Sequence, residues 1–302
     1  MPVCPVCESA HVGGAEGDYG PCASCGSYIY ISSRSAEDDN RSFFNDMYGG
    51  APDPRRSRIK SKIFRAFQKK DRLRNAGEYG EYRGLRTAID ATLRQAGRLV
   101  EIGFGEGRML ASLLKEGVDA YGVDISESIV HRFQKRHPEF RDRVRVGSRL
   151  DEQVSVVYCS ALLEHLDNPT LLIQDASSSL KKTGLMIVDN VPVLSAKTPS
   201  ITTEEDSCFW KPCHRIVFSL RGLKGLFERH GFQLERHAMI DSYNYRVLSV
   251  HIREGFSEII RLRSSCLSHR GLPGILRYYS LCRQAVDVNS VALAGSFIFR
   301  RL

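Results

Sequence analysis

Arg98-Leu-Val-Glu-Ile-Gly103-Phe-Gly105-Glu-Gly107 is the stretch on which the reading of this chain turns. Its first half is an apolar strand, and its second half packs three glycines into five residues. Arg108–Glu116 follows as a helix whose apolar stripe is Met109, Leu110, Leu113 and Leu114. Val118–Val123 then reads as a second strand, closing on Asp124. Glycines at such a turn let the backbone reverse sharply and let a ligand approach amides that a Cβ would screen. Asp124 lies 21 residues after Gly103, where an acid at the end of the second strand can accept hydrogen bonds from ribose hydroxyls. Strand, glycine turn, helix, strand and acid together predict a Rossmann-like α/β domain with a nucleotide-type ligand at the strand ends.

Glu101 narrows that ligand. It falls within E-x-G-x-G-x-G, with the third glycine two residues after the second. This pattern resembles motif I of class I S-adenosylmethionine-dependent methyltransferases, in which the carboxylate near the end of the first strand lies close to the methionine amino group. The likeness continues downstream. "VSVVYCSALLEHLDN" (154–168) is similar to the fourth-strand motif of the small-molecule group that contains the ubiquinone-type O-methyltransferases. Leu171–Leu180 would be the next helix and "LKKTGLMIVDNVP" (180–192) the fifth strand, with Lys182-Thr183-Gly184 where the family usually has Pro-Gly-Gly. "HRIVFSLRGLKGLFERHGFQLE" (214–235) resembles the family's His, Phe-Ser, Leu and Gly-Phe string, leading to a sixth strand near Gln233–Ile240. Ser290–Arg300 alternates as an antiparallel seventh strand.

The resemblance implies a seven-stranded sheet and S-adenosyl-L-methionine as cofactor. The contacts it implies come from Glu101, Gly103, Phe104, Gly105, Gly107, Asp124, Ile125, Ser148, Arg149 and Cys159. Two departures stand out. Gly147-Ser148-Arg149-Leu150 replaces the acidic stretch that usually precedes the adenine contact, and Ser155 stands where an Asp normally opens the fourth strand. Backbone amides of 148–150 are expected to serve the adenine instead.

Methyl transfer from a sulfonium is an in-line displacement, so alignment carries much of the rate, and a general base helps an O–H or N–H acceptor. His165, beside Glu164, and His214, before the last crossover helix, are the candidate bases. Each also has a structural alternative: bracing its loop or bonding backbone. In some ubiquinone-type relatives a metal sits near the Glu-His motif, and Glu164 and His165 match part of it. Cys208-x4-Cys213-His214 does not have the spacing of a metal knuckle. Trp210, the single tryptophan, is a candidate apolar wall for the acceptor.

A second motif lies at the N-terminus. Cys4-Pro-Val-Cys7 and Cys22-Ala-Ser-Cys25-Gly26 are two tight pairs separated by fourteen glycine-rich residues. That is the arrangement of a zinc ribbon, in which four thiolates converge tetrahedrally. Disulfides are the other reading, but Met1–Cys7 lacks the basic start and apolar run of a secretion signal. Four cysteines, Cys4, Cys7, Cys22 and Cys25, complete a structural Zn2+ shell with no open position, which leaves His11 as a surface residue. Residues 1–33 are thus expected to be a small unit of their own, folded by metal.

Residues 34–95 read as linker and basic helix. Ser35–Pro54 is polar and turn-rich. Arg55–Arg74 then holds ten Lys/Arg and one acid, Asp71, against a net charge of +8 for all 302 residues. Ile59, Ile63 and Phe67 recur there at helical spacing. Any anionic partner would meet this segment: an acceptor, a lipid surface or RNA. A second helix, about Tyr82–Ala96, leads into the domain at 96–302. Within that domain 241–289 is an insertion, expected to form cap helices near Val250–Ser264 and Gly274–Val286, with Tyr243, Tyr245, Tyr278 and Tyr279 available to line a pocket.

No apolar run approaches the roughly 20 residues of a transmembrane helix, so a cytoplasmic protein is expected. The function expected is methylation, chiefly O-methylation, of a small-molecule or carrier-bound metabolite. An RNA-modifying methyltransferase is the alternative, although aromatics for base stacking are few in the basic segment and no Asn/Asp-Pro-Pro-Tyr motif is present. A non-catalytic, cofactor-binding interaction protein is the third reading.

Overall fold

The computed structural model describes residues 3–10, 12–15, 17–36, 38, 80–148, 153–194, 212–240 and 292–302. Within them, alternating strands and amphipathic helices build a three-layer α/β sandwich. α1 (Gly80–Gln95) precedes β3 (Leu99–Ile102), α2 (Arg108–Lys115), β4 (Ala120–Asp124), α3 (Glu127–Arg136), β5 (Val144–Val146) and β6 (Val154–Ser160). α4 (Pro169–Ser179), β7 (Leu180–Leu194), β8 (Ile216–Val217), α5 (Leu220–Arg229), β9 (Phe232–Ile240) and β10 (Ala292–Arg301) complete it. Two short strands, β1 (Tyr19–Pro21) and β2 (Tyr28–Tyr30), come before these elements.

The large sheet has the order β5-β4-β3-β6-β7-β10-β9. β5, β4, β3, β6 and β7 are mutually parallel, and β10 runs antiparallel between β7 and β9. The order reverses between β3 and β6, so the ends of these two strands form the crevice where α/β sheets hold ligands. Every residue of β3 is buried, as a strand covered on both faces requires. Alternate side chains go to opposite layers. Leu99, Val156, Tyr158 and Ile187 pack with α1, α2 and α3. Val100, Ile102, Val157, Met186 and Val188 pack with α4 and α5.

Helix starts follow local chemistry. The Asn168 side chain accepts from the Thr170 amide at 3.1 Å and Pro169 opens α4; the Ser219 hydroxyl accepts from the Gly222 amide at 2.8 Å to open α5. The Lys182-Thr183-Gly184 departure has a structural counterpart. Thr183 takes φ +62, a conformation that a glycine would adopt without a Cβ penalty.

Six strands fall where the sequence places them, and the seventh, β5, is a three-residue edge strand whose position the sequence pattern does not mark. The cysteine segment does not stand apart, which corrects the expectation of an independent unit at 1–33. β2 pairs antiparallel with β8, giving a small sheet β1-β2-β8, and Cys4, Val6, Val12, Cys22, Cys25 and Ile29 belong to the same core as Phe218, Leu223 and Phe227. The physical reason is size: three-residue strands cannot bury an adequate apolar face alone.

The basic helix at 55–74, Arg149, His11, Cys208, Trp210, and the insertion at 241–289 with its helices and tyrosines lie outside the described residues. No described helix is long and apolar enough to cross a membrane.

Candidate active site

The glycine loop is built on positive φ angles: 67° at Gly103, 53° at Gly105 and 64° at Gly107. The three glycines do different things. A Cβ on Gly107 would lie 2.3 Å from a ring carbon of Phe133, so that residue is fixed by packing. A Cβ on Gly103 would come within 3.1 Å of Leu162, which joins the loop to the turn after β6. Around Gly105 there is open space, the kind of cradle a ligand can occupy and a side chain would fill.

Asp124 closes β4 beside this loop and is 6% exposed. One carboxylate oxygen accepts from the Ser126 amide at 2.9 Å and the other from the Gly105 amide at 3.1 Å. Burial raises its pKa above the usual carboxylate range, against the pull of these two bonds. Each oxygen keeps a second lone pair, so the fixed, desolvated carboxylate suits two ribose hydroxyl donors. The Gly147 amide donates to the Asp124 carbonyl at 2.9 Å, which brings exposed Ser148 to the same edge. Ile125 is 64% exposed and offers an apolar surface there. Glu101 is buried two residues before the loop, opposite Gly122 and Tyr158.

Two of the expected cofactor contacts lie differently. The Phe104 ring is buried and packs edge-on against Phe133 at 5.5 Å, so only its backbone belongs to the loop. Cys159 is buried in the core; desolvation pushes its thiol well up, helped by the charges of Glu164, Asp189 and Glu101. That thiol is inert, and the carboxylates around it show how acidic the end of β6 is.

Beyond β6 the chain turns through Ala161 at φ +49 into a 3-10 turn, Leu163–His165. Glu164, His165 and His214 converge there, one ligand atom from each lying within 4.8 Å of the others. All three are buried. His165 Nδ1 is 2.9 Å from the Cys213 carbonyl. A carbonyl only accepts, so Nδ1 carries a proton, and in the neutral imidazole Nε2 is then the nitrogen with the lone pair. Nε2 is 4.0 Å from Glu164 Oε1, and the two imidazoles meet edge to face at 4.8 Å. Such a trio can pass a proton or hold a divalent cation, because a carbonyl-anchored Nδ1–H is also how metal-binding histidines are oriented.

Sequence reading misses the network behind this cluster. Asp189, 4% exposed in β7, accepts from the Tyr158 hydroxyl at 2.9 Å and from the Ser296 hydroxyl. An acid inside the apolar run "MIVDNVP" is the signal that could have found it.

The four N-terminal cysteines also converge, within 4.8 Å of one another. Cys4–Cys25 and Cys7–Cys22 have Sγ atoms 3.8 and 3.5 Å apart, far beyond a disulfide bond. A tetrahedral zinc with Zn–S near 2.3 Å needs sulfurs about 3.8 Å apart, so the four thiols fit that ion. Each knuckle ends on a left-handed residue, Glu8 at φ 62 and Gly26 at φ 78.

The family model of a methyltransferase domain matches residues 28–237. This chain belongs to that family. It is an enzyme of the S-adenosylmethionine-dependent methyltransferase type. A search of curated protein sequences finds no match. Among solved structures, a putative sarcosine dimethylglycine methyltransferase from Galdieria sulphuraria superposes with a TM-score of 0.52 at 17% identity, covering 88% of this chain and 97% of that one. A cyclopropane synthase from Mycobacterium tuberculosis gives 0.50 at 18% identity, covering 71% and 83%. At these identities the likeness is one of fold.

Proposed function

We propose that this methyltransferase transfers the methyl group to an oxygen of a small-molecule or carrier-bound metabolite. The observation that carries the reading is the buried Glu164–His165–His214 cluster, joined to the glycine loop through Leu162. A hydroxyl must lose its proton as it is methylated, whereas a neutral amine can attack before losing one. A buried imidazole backed by a carboxylate is therefore best matched to O-transfer. S-adenosylmethionine, when bound, supplies an electrophilic methyl on a sulfonium.

Glu101, the Gly103–Gly107 loop, Asp124, Ile125 and the 148–149 backbone hold the cofactor in this reading. His165 Nε2 would take the acceptor's O–H proton as that oxygen is methylated, so that no charged oxonium has to build up on the acceptor. Glu164 compensates the imidazolium that results. His214 orients the acceptor or relays the proton, its ring edge against His165. The cysteine quartet holds a structural zinc, which requires a reducing compartment such as the cytoplasm.

The test is a mass-spectrometric screen for products heavier by one methylene, followed by His165→Gln and Glu164→Gln. Both variants should lose turnover at neutral pH by about 10²–10⁴-fold and keep cofactor affinity. His165→Gln turning over as fast as the parent would remove the base from the mechanism.

A further inference from the structure

We propose that the N-terminal cysteine segment positions the acceptor side of the active site, with Tyr19 as the residue that sets His214. This rests on the reading of His214 given above. Residues 213–215 belong to no helix or strand, so the direction of the His214 imidazole depends on what grips this backbone. Two sides grip it. From the sheet side, His165 Nδ1–H donates to the Cys213 carbonyl at 2.9 Å and the Arg215 amide donates to the Glu164 carbonyl at 2.5 Å. From the other side, the buried Tyr19 hydroxyl donates to the His214 carbonyl at 2.6 Å, across 195 residues of sequence.

Tyr19 is three residues before Cys22 and does not act alone. Its ring packs on Tyr30 at 5.3 Å. The Tyr30 amide donates to the Arg215 carbonyl at 2.8 Å, and the Arg215 guanidinium lies over the Tyr30 ring at 5.4 Å. That guanidinium, 3% exposed, also reaches Asp167 Oδ1 at 3.2 Å and the Arg34 carbonyl at 2.7 Å. The Ala36 amide in turn holds Asp167 Oδ2 at 2.5 Å. The segment from Tyr19 to Ala36 is thus clamped onto both ends of the catalytic cluster: the turn carrying Glu164 and His165, and the chain carrying His214.

The cofactor loop lies elsewhere. Asp124 and Gly103–Gly107 sit at the ends of β4 and β3, whereas β8 joins the large sheet at β7, through Val193 and Phe218. A perturbation of Tyr19 should consequently reach His214 and leave cofactor affinity alone. A merely structural brace would change neither selectively.

The experiment uses the full chain carrying 13C-labelled histidine, with the His214 signal assigned from its loss in His214→Gln. Tyr19→Phe keeps the ring and removes the hydroxyl. It should move the His214 Cε1–H resonance, raise amide exchange at 214–217 by about fivefold, and leave S-adenosylhomocysteine affinity within about twofold of the parent. Tyr121→Phe, on β4, should leave the resonance in place. Removing zinc with a chelator from the unmutated chain should speed exchange at the same amides, which covers the case of a variant that folds poorly. An unmoved His214 resonance in folded Tyr19→Phe, or unchanged exchange at 214–217 after chelation, overturns the proposal. Methyl transfer surviving His214→Gln would instead overturn the catalytic reading of His214 and leave the Tyr19 coupling standing.

Discussion

Replacing Asp124 with alanine separates the cofactor site from the rest of the fold. In the free protein the carboxylate accepts two backbone amides, from Gly105 and Ser126, and it is nearly fully buried. Those bonds favour the native state, but desolvation of the charge opposes them strongly enough to raise the pKa. The two contributions oppose one another, so Asp124→Ala should change the melting temperature of the free protein little. The bound state differs, because ribose hydroxyls donating to the remaining lone pairs would find no acceptor. Hydrogen bonds to a charged group are worth about 1.5–3 kcal/mol, which corresponds to an affinity loss of roughly 10- to 150-fold. Titration calorimetry with S-adenosylhomocysteine measures this directly. Asp124→Asn should recover only part of the loss, since its amide NH2 would face one of the two backbone N–H groups. Undiminished affinity in Asp124→Ala would refute the assignment of Asp124 to the ribose.

The same carboxylate gives a pH dependence with a definite sign. Its pKa is raised in the folded state, so its contribution to the free protein's stability is complete below the unfolded value near 3.9 and is lost as pH rises through the folded value. Ribose donors favour the ionised form, so cofactor affinity should rise as pH climbs through the raised pKa of the free protein, with proton release visible as a buffer-dependent binding enthalpy. The glycine loop gives a contrast in two substitutions. Gly107→Ala must displace the Phe133 ring at φ +64 and should cost about 2–4 kcal/mol of stability by thermal unfolding. Gly105→Ala meets no atom and should cost about 1–2 kcal/mol from its φ alone, losing cofactor affinity far more than stability. Elemental analysis should find one zinc per chain, reduced by Cys4→Ser or Cys22→Ser. Because Cys4 and Cys22 pack in the same core as Phe218 and Leu223, that loss should lower the melting temperature of the whole domain rather than of residues 1–33 alone.

The cofactor half of the site was legible because its chemistry is local. A strand, three glycines and an acid at fixed spacing carry their own geometry, and Gly103, Gly105, Gly107 and Asp124 come together as the spacing requires. The histidine cluster proposed for the acceptor is assembled from contacts of long sequence separation. His165 reaches Cys213 across 48 residues and Tyr19 reaches His214 across 195. Nothing in either local sequence encodes those pairings, so reading along the chain finds two candidate histidines without finding that they touch. The cysteine pairs show the same limit. Their spacing announces a metal knuckle, but whether the knuckle stands alone depends on where its strands find a partner, and β8 supplies that partner nearly two hundred residues later. β2 pairs with the strand that begins two residues after His214, which places the cysteine segment against the histidine that the proposed function assigns to the acceptor. If that assignment holds, the small sheet belongs to the wall on which the acceptor is aligned. On that reading substrate choice is expected to depend on the cysteine segment, and exchanging residues 1–36 between relatives should alter acceptor preference while leaving cofactor affinity intact.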